Sequence, residues 1–131
     1  MMVDGSPVSW SSKLQPTVAG STAEAELIAA NQATKEVVWF RTLLGELGYP
    51  QTTPTVIKED NQSCIAIANN SGIHHKRQKH LDVQFFWIKE VIARGDIILQ
   101  YCQTSDQAAD VMTKALPRIV FEKHIGALMH Q

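Results

Sequence analysis

Apolar and polar residues alternate along this chain in two periods, one typical of helices and one typical of strands. From Ser21 to about Leu47 the apolar positions recur at steps of three and four, which predicts one long helix. Ser21 and Glu24 have the spacing of a capping box at its start, and Gly48 followed by Pro50 ends it. The predicted core-facing stripe consists of Ala30, Ala33, Val37, Phe40, Leu44 and Leu47.

The remaining elements are predicted to be shorter. They are a hairpin with an Asp4-Gly5 turn, strands at 55–60 and 96–102, a short helix at 64–68, a helix at 81–94, a helix opened by a second capping box at Thr104 and Gln107, and a last helix after Pro117. Strands that alternate with helices predict an α/β fold, and 131 residues suit a single domain spanning 1–131.

Composition narrows the class of protein. Hydrophobic residues make up 44% of the chain and charged residues 19%, which excludes a disordered chain and a disulfide scaffold. No apolar run approaches the roughly 20 residues that span a bilayer, and the first ten residues lack the features of a signal peptide. We therefore expect no membrane partner and a cytoplasmic or nuclear location, with Cys64 and Cys102 as reduced, buried thiols.

Three carboxylates stand where ordinary structural roles explain them poorly. Glu26 falls on the extended core stripe of the long helix, Asp60 lies where a strand gives way to a helix, and Asp110 has apolar neighbours. Glu26 could instead meet a partner at the sheet edge, and Asp60 or Asn61 could simply cap the next helix. If the three converge, within about 10 Å of one another, they predict a site for two Mg²⁺ or Mn²⁺ ions, because hard oxygen ligands suit these cations.

The one dense basic cluster runs from 74 to 80 and is a candidate nucleic-acid contact. A formal net charge of -1 leaves binding to a polyanion to such a local patch. A solvated loop is the alternative, and a zinc site is disfavoured by the spacing and by the lack of a nearby cysteine. The candidate phosphate contacts are His74, His75, Lys76, Arg77, Lys79 and His80.

Several runs together resemble a known family. They are VSWSSK at 8–13, STAEAE at 21–26, DNQS at 60–63, KHLD at 79–82 and DQAAD at 106–110, followed by TK at 113–114 and LP at 116–117. In this order they resemble the ribonuclease H domain of copia-type retrotransposon polyproteins. The resemblance covers nearly the whole chain and implies a ribonuclease H-like three-layer fold, with a mixed sheet flanked by helices.

The resemblance also implies a reaction and a set of site residues. The reaction is hydrolysis of the RNA strand of an RNA·DNA hybrid by two metal ions, and Glu26, Asp60 and Asp110 match three of the family's four carboxylates. The fourth is an Asp on the first, central strand, which has no match here, since Asp4 corresponds to the family's hairpin turn. The loop at 103–106 also lacks the histidine that many members carry.

The resemblance therefore implies an N-terminally truncated domain without its first strand. Such a chain would hydrolyse a hybrid slowly or not at all by itself, and its exposed sheet edges would favour self-association or pairing with the upstream reverse transcriptase segment. The alternative function is a non-catalytic remnant that acts as a nucleic-acid or protein interaction module. A transposase or integrase core shares the acidic chemistry but fits the series of motifs poorly.

Overall fold

The computed structural model describes residues 1–15, 18–69 and 79–129, and for residues 79–82 and 84 it describes the backbone alone. Along the chain the elements are β1 (Met2–Val3), β2 (Ser6–Pro7), α1 (Thr22–Glu46), β3 (Thr55–Glu59), α2 (Gln62–Asn69), α3 (Lys79–Ala93), β4 (Ile97–Tyr101), two short 3-10 turns (Thr104–Asp106 and Ala108–Met112) and α4 (Arg118–Met129). The predicted α/β class is confirmed at this level.

The chain divides into two compact units. A central unit comprises Ala19–Tyr101, and a terminal unit comprises Met1–Val18 together with Cys102–Gln131. The prediction of one domain over 1–131 stays a prediction.

Helix α1 forms where the sequence predicts it. Ser21 has an extended backbone, and its hydroxyl accepts the Glu24 N–H at 3.2 Å, which satisfies one of the donors that every helix start leaves over. At the other end, Gly48 adopts a φ of 89°, a left-handed conformation that glycine tolerates.

The buried stripe of α1 differs from the predicted one. It begins earlier and includes polar residues, while Leu47 is 63% exposed beyond the helix end. Thr34 can be buried because its hydroxyl donates to the Ala30 carbonyl at 2.7 Å. Periodicity taken from apolar residues alone misses such positions. The buried residues of α1 are Leu27, Ala30, Asn31, Thr34 and Val37.

Strands β3 and β4 pair in parallel, with Thr55 beside Ile97 and Glu59 beside Tyr101. Parallel neighbours need a long crossover, which α2 and α3 supply. Ile97 and Leu99 are buried, and α1, α2 and α3 pack with the two strands. The opposite face carries Val56 and Ile98, which are 45% and 43% exposed.

Arg41 of α1 ties down the connector that leads into β3. Its guanidinium donates to the carbonyls of Gln51 and Thr53, both at 2.8 Å, and to the Thr55 hydroxyl at 3.0 Å. The Asp96 carboxylate lies 3.8 Å from its Nε. The connector before β3 is therefore held to α1 by hydrogen bonds from one rigid, planar guanidinium group.

In the terminal unit, β1 and β2 form the predicted antiparallel hairpin. Asp4 and Gly5 have φ values of 48° and 74°, as a tight turn with two positive φ angles requires. The predicted helix at 104 is wrong. Two 3-10 turns occupy this stretch, and Thr104 lies inside the first of them rather than capping a helix.

In the described part of the chain, no helix has both the length and the apolar character needed to cross a membrane.

Candidate functional site

Asp60 comes directly after β3, at the end of the strand that faces the start of α2. The side chain that caps α2 is that of its neighbour Asn61, whose Oδ1 accepts the Cys64 N–H at 3.1 Å. Of the two residues that could have been mere caps, Asn61 takes that role. The Asp60 carboxylate is therefore available for chemistry at the strand end.

Glu26, Glu59 and Asp60 form one acidic cluster in the central unit. One carboxylate oxygen from each lies within 4.8 Å of the others. Glu26 comes from the first turns of α1, whereas Glu59 and Asp60 come from the end of β3. The predicted approach of Glu26 and Asp60 thus occurs, although they are 34 positions apart in the chain.

Glu59 is the member of this cluster that sequence reasoning missed. Only 5% of its surface is exposed, and its Oε1 accepts the Asn61 N–H at 2.9 Å. A signal was present, since alternation along β3 places Glu59 on the same face as Ile57, the face that is turned away from solvent. A carboxylate on that face needs partners or neutralisation.

The environment of Glu59 acts on its proton equilibrium. Burial raises the pKa of its carboxyl, and the negative charges of Glu26 and Asp60 add to the increase. The Asn61 N–H and the Cys64 thiol act in the opposite direction by donating hydrogen bonds, but the net pKa is raised. The cluster therefore resists carrying three full negative charges.

Cys64, at the start of α2, is fully buried beside this cluster. Burial raises the pKa of its thiol, and the neighbouring Glu59 carboxylate raises it further. Because the thiol remains protonated, it acts as a hydrogen-bond donor rather than as a thiolate ligand.

The donor set of the cluster suits a hard divalent cation. Three carboxylates in mutual reach repel one another, and an Mg²⁺ or Mn²⁺ ion would relieve that repulsion while accepting their oxygens as ligands. The cluster is therefore a candidate site for a divalent cation.

Asp110, the third predicted ligand, belongs to the terminal unit. Asp110 lies in the second 3-10 turn and is 8% exposed. The Lys114 Nζ lies 2.8 Å from its Oδ1 and 2.9 Å from its Oδ2. Its place in one site with Glu26 and Asp60 stays a prediction.

Two other carboxylates have structural partners, and for Glu24 this is the predicted capping role. The Glu24 side chain accepts the Gly20 N–H, which completes the cap of α1, and Asp106 pairs with Lys123. The predicted contacts His74, His75, Lys76 and Arg77 lie outside the described residues, as do the side chains of Lys79 and His80.

The central unit is an α/β unit with a candidate divalent-cation site at the end of a parallel strand. In sequence, the chain is similar to polyproteins of transposons. The chain is 42% identical over 118 residues to a retrovirus-related Pol polyprotein from transposon TNT 1-94 of Nicotiana tabacum. It is 36% and 35% identical, over 116 residues each, to the retrovirus-related Pol polyproteins from transposons RE1 and RE2 of Arabidopsis thaliana.

These matches cover 90% of this chain for the tobacco polyprotein and 88% for the other two. The chain spans only 9% of the first polyprotein and 8% of each of the others. The similarity supports a retrotransposon polyprotein region as the identity of this sequence. No family model matches the chain, and no solved structure does.

Proposed function

We propose that this chain is the ribonuclease H-like region of a copia-type retrotransposon polyprotein, which uses two divalent cations to hydrolyse the RNA strand of RNA·DNA hybrids. The observation that carries the proposal is the meeting of Glu26 and Asp60. They come from two separate sequence motifs, and with Glu59 they place carboxylate oxygens within 4.8 Å of one another. Similarity to Pol polyproteins over 90% of the chain supports the same assignment.

Glu26 and Asp60 would hold a cation, and the resemblance adds Asp110 as a further ligand. The cations would supply charge neutralisation at the phosphodiester and a water of lowered pKa. The chain's own contribution is positioning. Asp60 lies between the end of β3 and Asn61, and both hold its backbone in place. The Asn61 side chain caps α2, and the Asn61 N–H donates a hydrogen bond to the Glu59 carboxylate.

The partner implied by this function is an RNA·DNA hybrid. The basic residues Lys76, Arg77 and Lys79 are the proposed phosphate contacts, with His74, His75 and His80 adding charge below about pH 6.5. An upstream reverse transcriptase segment of the same polyprotein is a second proposed partner, and self-association through sheet edges is a third.

The cation site is tested first, by Mn²⁺ binding measured through electron paramagnetic resonance. We expect Glu26→Gln and Asp60→Asn each to weaken binding at least about tenfold, because each removes a charged oxygen ligand. Glu46→Gln is the matched control, since Glu46 ends the same helix about 30 Å along its axis. Equal affinity in all four proteins would contradict the proposal.

The nucleic-acid partner is tested by comparing an RNA·DNA hybrid with a DNA duplex of the same sequence in Mg²⁺. We expect tighter binding of the hybrid, with a preference that falls in Asp60→Asn. Replacing Lys76, Arg77 and Lys79 together with Ala should lower affinity and reduce the salt slope by about one for each residue. Equal binding of both duplexes, unaffected by Asp60→Asn, would favour the interaction module instead.

Cleavage by the 131-residue chain is expected to be slow or undetectable, because three of the family's four carboxylates are matched in it. Turnover that disappears in Asp60→Asn would overturn that expectation and would at the same time support the reaction class.

A further inference from the structure

Glu59 is the member of the acidic cluster to which the proposed function gives no role of its own. It differs from the other two members in its exposure to water. Glu26 and Asp60 are half-buried, whereas Glu59 is 5% exposed. A protein-bound Mg²⁺ ion usually keeps several of its water molecules, so its ligands lie where water reaches. Glu26 and Asp60 meet this condition better than Glu59 does.

Hydrogen bonds join Glu59 to the residues that follow it and close a circuit across the turn that carries Asp60. The Asn61 N–H donates to the Glu59 Oε1 at 2.9 Å, and the Cys64 N–H donates to the Asn61 Oδ1 at 3.1 Å. The Cys64 thiol, which is fully buried, donates in turn to the Glu59 carboxylate. The backbone of Asp60 lies between the first two members of this circuit.

The circuit depends on an acceptor at position 59. Without it, the Asn61 N–H would lack a partner in a place that water hardly reaches, which is unfavourable for a backbone donor. The turn would relax until this N–H found another acceptor, and Asp60 would move with it. A cation site tolerates little displacement of a ligand, so we expect its affinity to depend on this acceptor.

We propose that Glu59 is a positioning residue, whose carboxylate accepts the Asn61 N–H and so keeps Asp60 within reach of Glu26, while Glu26 and Asp60 bind the cation. The inference rests on the proposed function, because it takes Glu26 and Asp60 as the cation ligands. A positioning role requires the acceptor oxygen of Glu59 but not its charge. A ligand role requires both.

The test compares two variants that both lack the charge. Glu59→Gln keeps an oxygen acceptor, whereas Glu59→Met keeps a similar length and volume without one. For Mn²⁺ binding, measured by electron paramagnetic resonance on the folded proteins, we expect Glu59→Gln to stay within about threefold of the unsubstituted chain. Glu59→Met should bind at least about tenfold more weakly. Glu46→Met, at the exposed end of α1, is the control and should leave the affinity unchanged.

A second measurement needs no cation. Hydrogen exchange of the Asn61 N–H in the metal-free protein should be at least about tenfold faster in Glu59→Met than in Glu59→Gln, because only glutamine preserves its acceptor. The Thr55 N–H is the internal control. It donates to the Asp96 carbonyl at the other end of β3 and should exchange at similar rates in both variants.

Three outcomes would overturn this inference alone. Mn²⁺ binding weakened at least about tenfold in Glu59→Gln would make Glu59 a ligand, and this result stands even if Glu59→Met does not fold. Unchanged binding in Glu59→Met would make its role purely structural. Equal exchange of the Asn61 N–H in the two variants would remove the acceptor role. Failure of the unsubstituted chain to bind Mn²⁺ would overturn the proposed cation site as well, and that result precedes any variant.

Discussion

The central unit buries both apolar and polar side chains, whereas the buried residues that the structure describes in the terminal unit are all polar. In the described part of the chain, the buried residues of the terminal unit are Asp110 and His124. Every buried apolar residue of the described ranges lies in the central unit, namely Leu27, Ala30, Val37, Cys64, Ala68, Ile88, Val91, Ile97 and Leu99.

This difference assigns different sources of stability to the two units. Burial of apolar area stabilises the central unit, and the Glu26 and Asp60 carboxylates sit on that packed scaffold. The terminal unit depends more on its hairpin turn and on ion pairs such as Asp110 with Lys114. Half-exposed ion pairs contribute little each, so this unit is expected to open at lower cost.

The largest effect is expected from Ile88→Ala in α3, because Ile88 is fully buried in the central unit. The lost contacts and the resulting cavity should lower the free energy of unfolding by about 3 kcal/mol. Ile125→Ala in α4 is the matched change in the terminal unit, where Ile125 is half-buried, and should cost about 1 kcal/mol. Urea unfolding measures both, and equal losses would remove the contrast between the units.

A smaller effect is expected from Arg41→Ala, which releases the connector before β3. Loss of hydrogen bonds from one guanidinium to three oxygens should lower the free energy of unfolding by about 1–2 kcal/mol. Arg118→Ala is the control in the terminal unit. Its pair with Glu122 is largely exposed, so the free energy of unfolding, measured by thermal unfolding, should change by less than about 0.5 kcal/mol. If Arg118→Ala lowered the free energy of unfolding as much as Arg41→Ala, the connector contacts would contribute no more than an exposed ion pair.

The smallest effect, and one with a definite sign, concerns Glu59→Gln. Because the folded state raises the pKa of this acid, folding favours its protonated form, and the stability of the protein falls as pH rises through the raised pKa. Gln mimics the protonated form and can still accept the Asn61 N–H. We expect the variant to be more stable than the unsubstituted protein at pH 7, with a difference that shrinks on acidification below the ordinary pKa of glutamate.

The measurement is urea unfolding of Glu59→Gln and of the unsubstituted protein at a series of pH values, with Glu46→Gln at the exposed end of α1 as the control for the substitution itself. An advantage of Glu59→Gln that grows as pH falls would contradict the assigned direction of the pKa shift.

Local signals predicted most of the elements, because caps, turns and periodicity act over a few residues. Ser21 with Glu24 placed the start of α1, and Asp4-Gly5 placed the hairpin turn. The stretch from Thr104 failed because a capping-box spacing is also compatible with short 3-10 turns, and no side chain there makes the capping bond. Tertiary context decides between the two.

The candidate site was predictable in part for a similar reason. Glu26 stood out because it interrupts an apolar stripe, and Asp60 because it lies where a strand gives way to a helix. The structure brings the two together. Glu59 was not among the predicted site residues, although strand alternation places it on the buried face of β3. Whether a buried acid has donors such as the Asn61 N–H depends on backbone geometry that no linear pattern encodes.

The burial of Cys64 has a consequence for how the two thiols respond to oxidants and alkylating reagents. The reactive species is the thiolate, and at Cys64 both the burial and the adjacent Glu59 carboxylate suppress it. Cys102 is partly exposed, so a reagent meets that thiol first. Oxidation and covalent labelling of thiols are thereby directed to the terminal unit, and the thiol beside the acidic cluster is spared.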